Sequence, residues 1–155
     1  ICTSAKTLYV GNVNRGLKLH FRCDSPWAWE YPKTITYTFT GDQIRNFYFD
    51  FYNSSDSNEY LYPIVDFTLN NIGNSISIEN TTTGEPPFIF SGISPNEHII
   101  VDNSLKTIVS STGLLRLNYF NKKWLRFIEG NNRIHVISAI GTLKLTYSFA
   151  RKIGA

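Results

Sequence analysis

The sequence predicts an all-β fold in which two antiparallel sheets pack face to face as a sandwich of the jelly-roll type. Three observations predict it. Apolar and polar residues alternate with a period of two in short runs, the pattern of strands with one face buried. Gly, Pro, Asn and Ser interrupt those runs about every eight to twelve residues, a sandwich or barrel rhythm. Aromatic residues make up 15% of the chain, against 17% charged residues. A buried ring removes roughly 150–250 Å² from water. At about 25 cal/mol/Å² that is roughly 4–6 kcal/mol gross per ring, so a handful of inward rings can hold two sheets together.

The elements follow in order. Residues 1–16 are polar and irregular, with Gly11, Asn12, Asn14 and Gly16, and read as a connector. In residues 17–23, Leu17, Leu19, Phe21 and Cys23 share one face and Lys18, His20 and Arg22 the other, a half-buried strand. Asp24-Ser25-Pro26 stops it. Trp27, Trp29 and Tyr31 then share one parity between Pro26 and Pro32. They are either a stacking platform for a ligand or packing at the seam between connector and domain. Residues 34–40 alternate Thr with Ile35, Tyr37 and Phe39, and Gly41-Asp42 turns the chain. Residues 44–52 place Phe47, Phe49 and Phe51 on one face, and residues 53–58, rich in Ser and Asn, read as a loop tip.

Pro63 suits a strand start, where a missing N–H donor costs least. Val65, Phe67 and Leu69 follow facing inward. Residues 71–74 turn, Ile76 and Ile78 mark another strand, and residues 81–87 form a loop. Phe88-Ile89-Phe90 is a short apolar strand, and residues 98–102 and 105–109 form a hairpin about Asn103-Ser104. Residues 114–127 are ambiguous. Leu117, Phe120, Trp124 and Phe127 have helical spacing, but the β context favours strand-turn-strand. Strands at 134–136 and 141–147 close the domain.

Composition narrows the function. A formal charge of +3 on scattered Lys and Arg lacks the basic stripe of a nucleic-acid binder. No apolar run has the length of a membrane helix. Cys2 and Cys23 read as free thiols rather than a disulfide framework. With His20, His98 and His135 they show no metal-ligand spacing. No cofactor motif is present. Catalysis by a nucleophile needs a base and an orienting group beside it, and no such motif is seen. The carboxylates Asp42, Asp50, Glu59, Asp66, Glu79, Glu97, Asp102 and Glu129 are dispersed; most sit at turns or outward strand positions, where a glycosidase pair is not readable. The residues therefore predict a non-enzymatic domain that works through its surface.

Several segments together resemble a family. Phe21-Arg22-Cys23-Asp24-Ser25-Pro26-Trp27-Ala28 is similar to the strand-to-domain junction of distal tail proteins from phages with long non-contractile tails. Residues 91–102 with Leu105-Lys106-Thr107-Ile108 resemble that family's "G-L-x-P-G-E-x-I-x-I-D…K-x-I" segment. Trp124 to Asn132 resembles its "F-x-x-L-x-P-G-x-N" segment. The family's Pro-Gly stands here as Pro95-Asn96 and as Glu129-Gly130, substitutions that turns accept. Gly130 is expected to supply a positive φ, and Asp102, Asn103 and Lys106 to set a hairpin.

The resemblance implies a galectin-like C-terminal domain over residues 33–155. Residues 1–32 would be a connector and strand leading from an N-terminal ring domain. The implied protein is a virion component of the tail tip, assembled in the bacterial cytoplasm and homo-hexameric at full length, with this portion alone monomeric. Its implied partners are the tail tube, the tail-associated lysin or tip protein, and receptor-binding proteins. The alternative is a carbohydrate-binding module for host-wall glycans, with Trp27, Trp29 and Tyr31 as contacts and Trp124 as a weaker candidate.

Overall fold

The computed structural model of the chain describes residues 2–22, 26–40, 47–70 and 75–153. The strands are β1 (Cys2–Val10), β2 (Val13–Phe21), β3 (Trp27–Trp29), β4 (Lys33–Phe39), β5 (Phe47–Asn53), β6 (Ile64–Leu69) and β7 (Ile76–Asn80). They continue with β8 (Phe88–Phe90), β9 (His98–Asp102), β10 (Thr107–Ser110), β11 (Gly130–Ser138), β12 (Gly141–Tyr147) and β13 (Ala150–Lys152). Two antiparallel sheets form the sandwich. One has the order β10-β9-β6-β12-β4 and the other β5-β11-β7-β8. Two ribbons stand beside them, β1-β2 and β13-β3.

The alternation read from sequence fills the space between the sheets. Val65, Phe67 and Leu69 of β6 are buried with Ile99, Val101, Leu143 and Leu145 from the neighbouring strands. Ile76, Ile78, Phe88, Phe90, Ile134 and Val136 face them from the other sheet. Phe67 meets Phe90 edge to face at 5.6 Å, joining the layers by a favoured ring geometry. The expected turns behave as expected. Asn96 and Gly130 have φ of 60° and 82°. Asp102 Oδ1 accepts the Ser104 and Leu105 N–H groups, both at 2.9 Å, in the β9–β10 hairpin. The turns expected at Gly41-Asp42 and residues 71–74 lie outside the described residues, as does Cys23; Cys2 is an exposed free thiol.

Five expectations are corrected. Residues 1–16 are not irregular: Cys2–Val10 forms β1, paired with β2 from Ser4↔His20 to Val10↔Val13. Backbone pairing needs no apolar pattern, so a polar strand escapes a reading based on alternation. Residues 17–21 form the strand expected, but it is not half-buried. Leu17, Leu19 and Phe21 are 64%, 47% and 69% exposed, because among the described residues no other strand covers the ribbon. The 53–58 segment is no solvated tip. Asn53, Ser55 and Ser57 are buried. The segment docks on β13, where Asp56 N–H donates to Ala150 O at 2.9 Å and Ala150 N–H to Ser55 Oγ at 3.3 Å.

Residues 114–127 are neither a helix nor strand-turn-strand. A 3-10 turn at Leu117–Tyr119 is followed by extended chain touching the sheets only at the bridges Phe90↔Phe120 and Leu61↔Phe127. Asparagine side chains take the place of a ladder. Asn121 Oδ1 accepts Ile89 N–H at 3.1 Å, and Asn121 Nδ2 donates to Pro87 O at 2.8 Å. Asn103 Oδ1 accepts Leu125 N–H at 2.8 Å while its Nδ2 donates to Pro63 O at 2.6 Å. Asn80 Nδ2 donates to Arg126 O at 3.2 Å and to Asn132 Oδ1 at 2.8 Å. Asn132 Oδ1 also accepts Ile128 N–H at 2.9 Å.

Glu97 likewise departs from expectation. It is fully buried, and Arg116 clamps it through Nε at 2.7 Å and Nη2 at 2.5 Å. Ser110 Oγ donates at 2.5 Å and Ser94 N–H at 3.0 Å. Burial alone would raise the carboxyl. The hydrogen bonds from Arg116, Ser110 and Ser94 outweigh it and pull its pKa down to about 2. The ordinary value is 4.5, so the folded state holds the depressed pKa. Its stabilisation is complete above the unfolded value and is lost as pH falls from about 4.5 towards 2. Thermal unfolding across that window is expected to show a falling Tm, with a shallower fall in Glu97→Gln. Arg116→Met leaves the carboxylate buried without its partner and is expected to cost about 3–5 kcal/mol at neutral pH, measured by denaturant unfolding.

Candidate functional site

The β3–β13 ribbon carries the ring residues singled out in the sequence. Trp29 pairs with Ala150, Ala28 with Arg151 and Trp27 with Lys152. A charged clasp fixes the ribbon to its surroundings. Glu30 accepts Lys33 Nζ through Oε2 and Arg151 Nε through Oε1, both at 2.6 Å. The hydrogen bond from Lys33, and then that from Arg151, hold the Glu30 carboxyl below its usual range. Arg151 also donates to the Ser54 carbonyl and to Asp56 Oδ1, the latter at 3.2 Å. One guanidinium therefore joins β13, the β3 exit and the 54–56 loop.

The structure divides the predicted trio. Trp27 is half-buried. Trp29 is 65% exposed and Tyr31 is 93% exposed. Trp29 alone of the three lines a cleft of about 240 Å³, with Tyr60, Tyr62 and Tyr147 as further rings and Pro32 beside them. Tyr60 and Tyr62 stand edge to face at 6.4 Å, and the Arg126 guanidinium lies 4.1 Å over the Tyr60 ring. Thr146, Ser148, Ser104 and Asp102 give the cleft its polar groups. Trp124 lines a different cleft.

Reading the sequence strand by strand missed the three tyrosines. Tyr60-Leu61-Tyr62 carries the same i, i+2 aromatic spacing as Trp27 and Trp29, and that was the available signal. Tyr147, at the end of β12, could be joined to them only by the sheet order.

Among the described residues, groups that would suit catalysis are not brought together. His20, His98 and His135 lie on three different sheets. His98 Nε2 bonds Asp66 Oδ1 at 2.6 Å, and His135 stacks on Tyr48 with centroids 4.2 Å apart. Asp102 is the only carboxylate lining the aromatic cleft among the described residues. Its Oδ1 is held by turn amides. No three His, Cys, Asp or Glu side chains converge in a metal-ligating group among the described residues. No helix among them is long and apolar enough to cross a membrane.

Against this geometry, comparison with protein families gives a match over residues 27–147 to the family described as phage tail C-terminal domain. The chain belongs to that family. The matched region runs from β3 to the end of β12, so the β1–β2 ribbon lies outside it. Among solved structures, the phage tail domain shares its fold with the Dit (gp 19.1) protein of phage SPP1, at a TM-score of 0.67 and 11% identity. The likeness covers 96% of this chain and 58% of that protein, so the chain spans less than two thirds of its length. That protein is described as a paradigm of the hub adsorption apparatus in phages infecting Gram-positive bacteria. Comparison with curated protein sequences finds no match. The phage tail domain is thus an all-β sandwich of a tail structural component, as the motifs at residues 91–108 and 124–132 imply.

The clasp makes a prediction for the aromatic cleft. Arg151→Ala releases Glu30, Ser54 and Asp56 together. Amide hydrogen exchange is expected to quicken at residues 27–29 and 150–152, while β6 and β12 keep their protection.

Proposed function

We propose that the domain is the C-terminal part of a distal tail hub protein in a phage or prophage tail tip. It acts through contacts with other tail proteins in host attachment, and not through turnover. The observation that carries this reading is the family match over residues 27–147, on a fold shared with a hub protein. Tail tube, tail-associated lysin or tip protein, and receptor-binding proteins are the partners this role requires.

On this reading residues 1–32 lead from a ring-forming domain, and residues 33–155 form the outward sandwich. The β1–β2 ribbon supports that division. Ala5 stands opposite Leu19 and Thr7 opposite Leu17, so Ala5, Leu17, Leu19 and Phe21 cluster on one face, with Thr7 beside them. Lys6 opposite Lys18 and Ser4 opposite His20 make the reverse face polar at that end, while Leu8, Val10 and Val13 lie towards the turn. A strand with one apolar face is stable where that face is covered. The ring domain is the covering surface. In size-exclusion chromatography with light scattering, the 155-residue chain is expected to be monomeric and the full-length protein hexameric. A stable hexamer of the 155-residue chain would place ring formation in the sandwich and overturn the division.

A second reading is contact with host-wall glycans. The exposure of Trp29 in a ring-lined cleft favours it, since sugar faces stack on open aromatic rings. Tyr31 and Trp27 extend the same ribbon. Titration of the protein with neutral wall saccharides is expected to change tryptophan emission, and Trp29→Ala to abolish the change. Unchanged emission with every saccharide would remove this reading and leave the hub role standing.

A further inference from the structure

A second cleft, of about 220 Å³, adjoins the aromatic one, and Tyr62 lines both. Its character is different. Lys106, Lys122, Lys123 and Arg126 line it together with Trp124. One carboxylate, Glu85, stands among these four cations, and it is engaged by Arg126 at 2.6 Å. Three positive charges are left over. Among the described residues none of the three lysines has an ion-pair partner.

The loops that carry these lysines are fixed in place. Asn121 Oδ1 accepts Lys123 N–H at 3.2 Å, and Asn103 and Asn80 hold the backbone at Leu125 and Arg126. Lys106 and Lys122 also have left-handed backbones, with φ of 57° and 61°. Gly or Asn takes that conformation at lower cost. Turn geometry alone therefore does not favour lysine at either place, whereas a need for charge does.

Cations converging on a concave, part-apolar surface favour an anion able to accept several charge-assisted hydrogen bonds. The shape limits which anion. Nucleic acid is tracked by a stripe or groove of cations along its backbone, and here they enclose a pocket. An extended acidic peptide would add to a sheet edge. The edge strand whose Phe88 lines the cleft, β8, is closed by Asn121 at both the N–H and the C=O of Ile89 and by the Phe90↔Phe120 bridge. A compact anion remains. Trp124 and the rings beyond Tyr62 offer faces for the body that bears it.

We propose that the lysine cleft binds the phosphate or carboxylate of an acidic saccharide, with an adjoining sugar ring directed towards Tyr62. The saccharide half of this statement rests on the glycan reading above; the anion half rests on the lysines. The test is amide-shift titration of the 155-residue chain at low salt with glucose 6-phosphate, glucuronate, glucose, inorganic phosphate and a hexaglutamate peptide. The two acidic sugars are expected to shift Lys106 and residues 122–124, with a Kd on the order of 1 mM. Glucose and inorganic phosphate are each expected to bind at least about tenfold more weakly, a difference of about 1.4 kcal/mol. Added salt is expected to weaken the acidic sugars and leave glucose unchanged.

Lys106→Asn with Lys122→Asn removes two charges while suiting the left-handed turns, so the fold is expected to persist. This double variant is expected to lose at least about tenfold in acidic-sugar affinity, with thermal unfolding unchanged. Trp29→Ala is expected to keep the shifts at Lys106 and residues 122–124, which separates failure of the aromatic cleft from failure of this one. The proposal is overturned if no anion moves the lysine amides, or if the double variant binds as tightly as the parent. It is equally overturned if inorganic phosphate or the acidic peptide binds as well as the acidic sugars.

Discussion

Buried asparagine side chains hold one side of this sandwich. Asn80, Asn103 and Asn132 are sequestered from solvent, and an amide buried there is tolerable only with its hydrogen bonds made. Each makes them to backbone that has no strand partner. The 120–129 segment therefore keeps a fixed path although only isolated bridges at Phe120 and Phe127 tie it to the sheets. Phe120, Leu125 and Phe127 are carried into the core along it, Trp124 packs half-buried against that core, and Lys122 and Lys123 stay at the surface. Loss of one amide would free backbone groups and loosen core rings together. The Glu97–Arg116 pair does comparable work on the neighbouring 91–97 and 110–116 loops.

This constraint explains which parts of the fold could be read in advance. The two sheets were legible because their order parameter is local. Val65, Phe67 and Leu69 announce an inward face with no knowledge of what lies opposite. Asp102, Asn96 and Gly130 announce turns through their own backbone chemistry. The asparagine tethers were not legible, because each pairs residues far apart in the chain and Asn is as common in loops as in buried networks. Glu97 failed for the same reason. A carboxylate beside Pro95-Asn96 looks like a turn acid until Arg116, nineteen positions on, is known to lie against it.

The candidate surfaces were half legible. Shared parity singled out Trp27, Trp29 and Tyr31, but the strand places them in three environments. The partners of Trp29 come from the β6 approach and from the end of β12, which are neighbours only because β12 pairs with β6. The apolar parity of Leu17, Leu19 and Phe21 was read correctly as a strand face and incorrectly as a buried one. Periodicity reports that a face is apolar and does not say which surface covers it. That face, on the β1–β2 ribbon, and the ring-lined cleft belong to different strand pairs. The two proposed contacts, of the ribbon with a further domain and of the cleft with a saccharide, would therefore not compete for the same side chains.

The closure of β8 matters beyond its own loop. In a structural component of a phage tail, an open strand could recruit a neighbour's strand by backbone bonding alone. With Ile89 saturated from within the same chain by Asn121, that margin offers no template for runaway sheet growth. A partner beside β8 would have to be recognised through side chains rather than through backbone bonding.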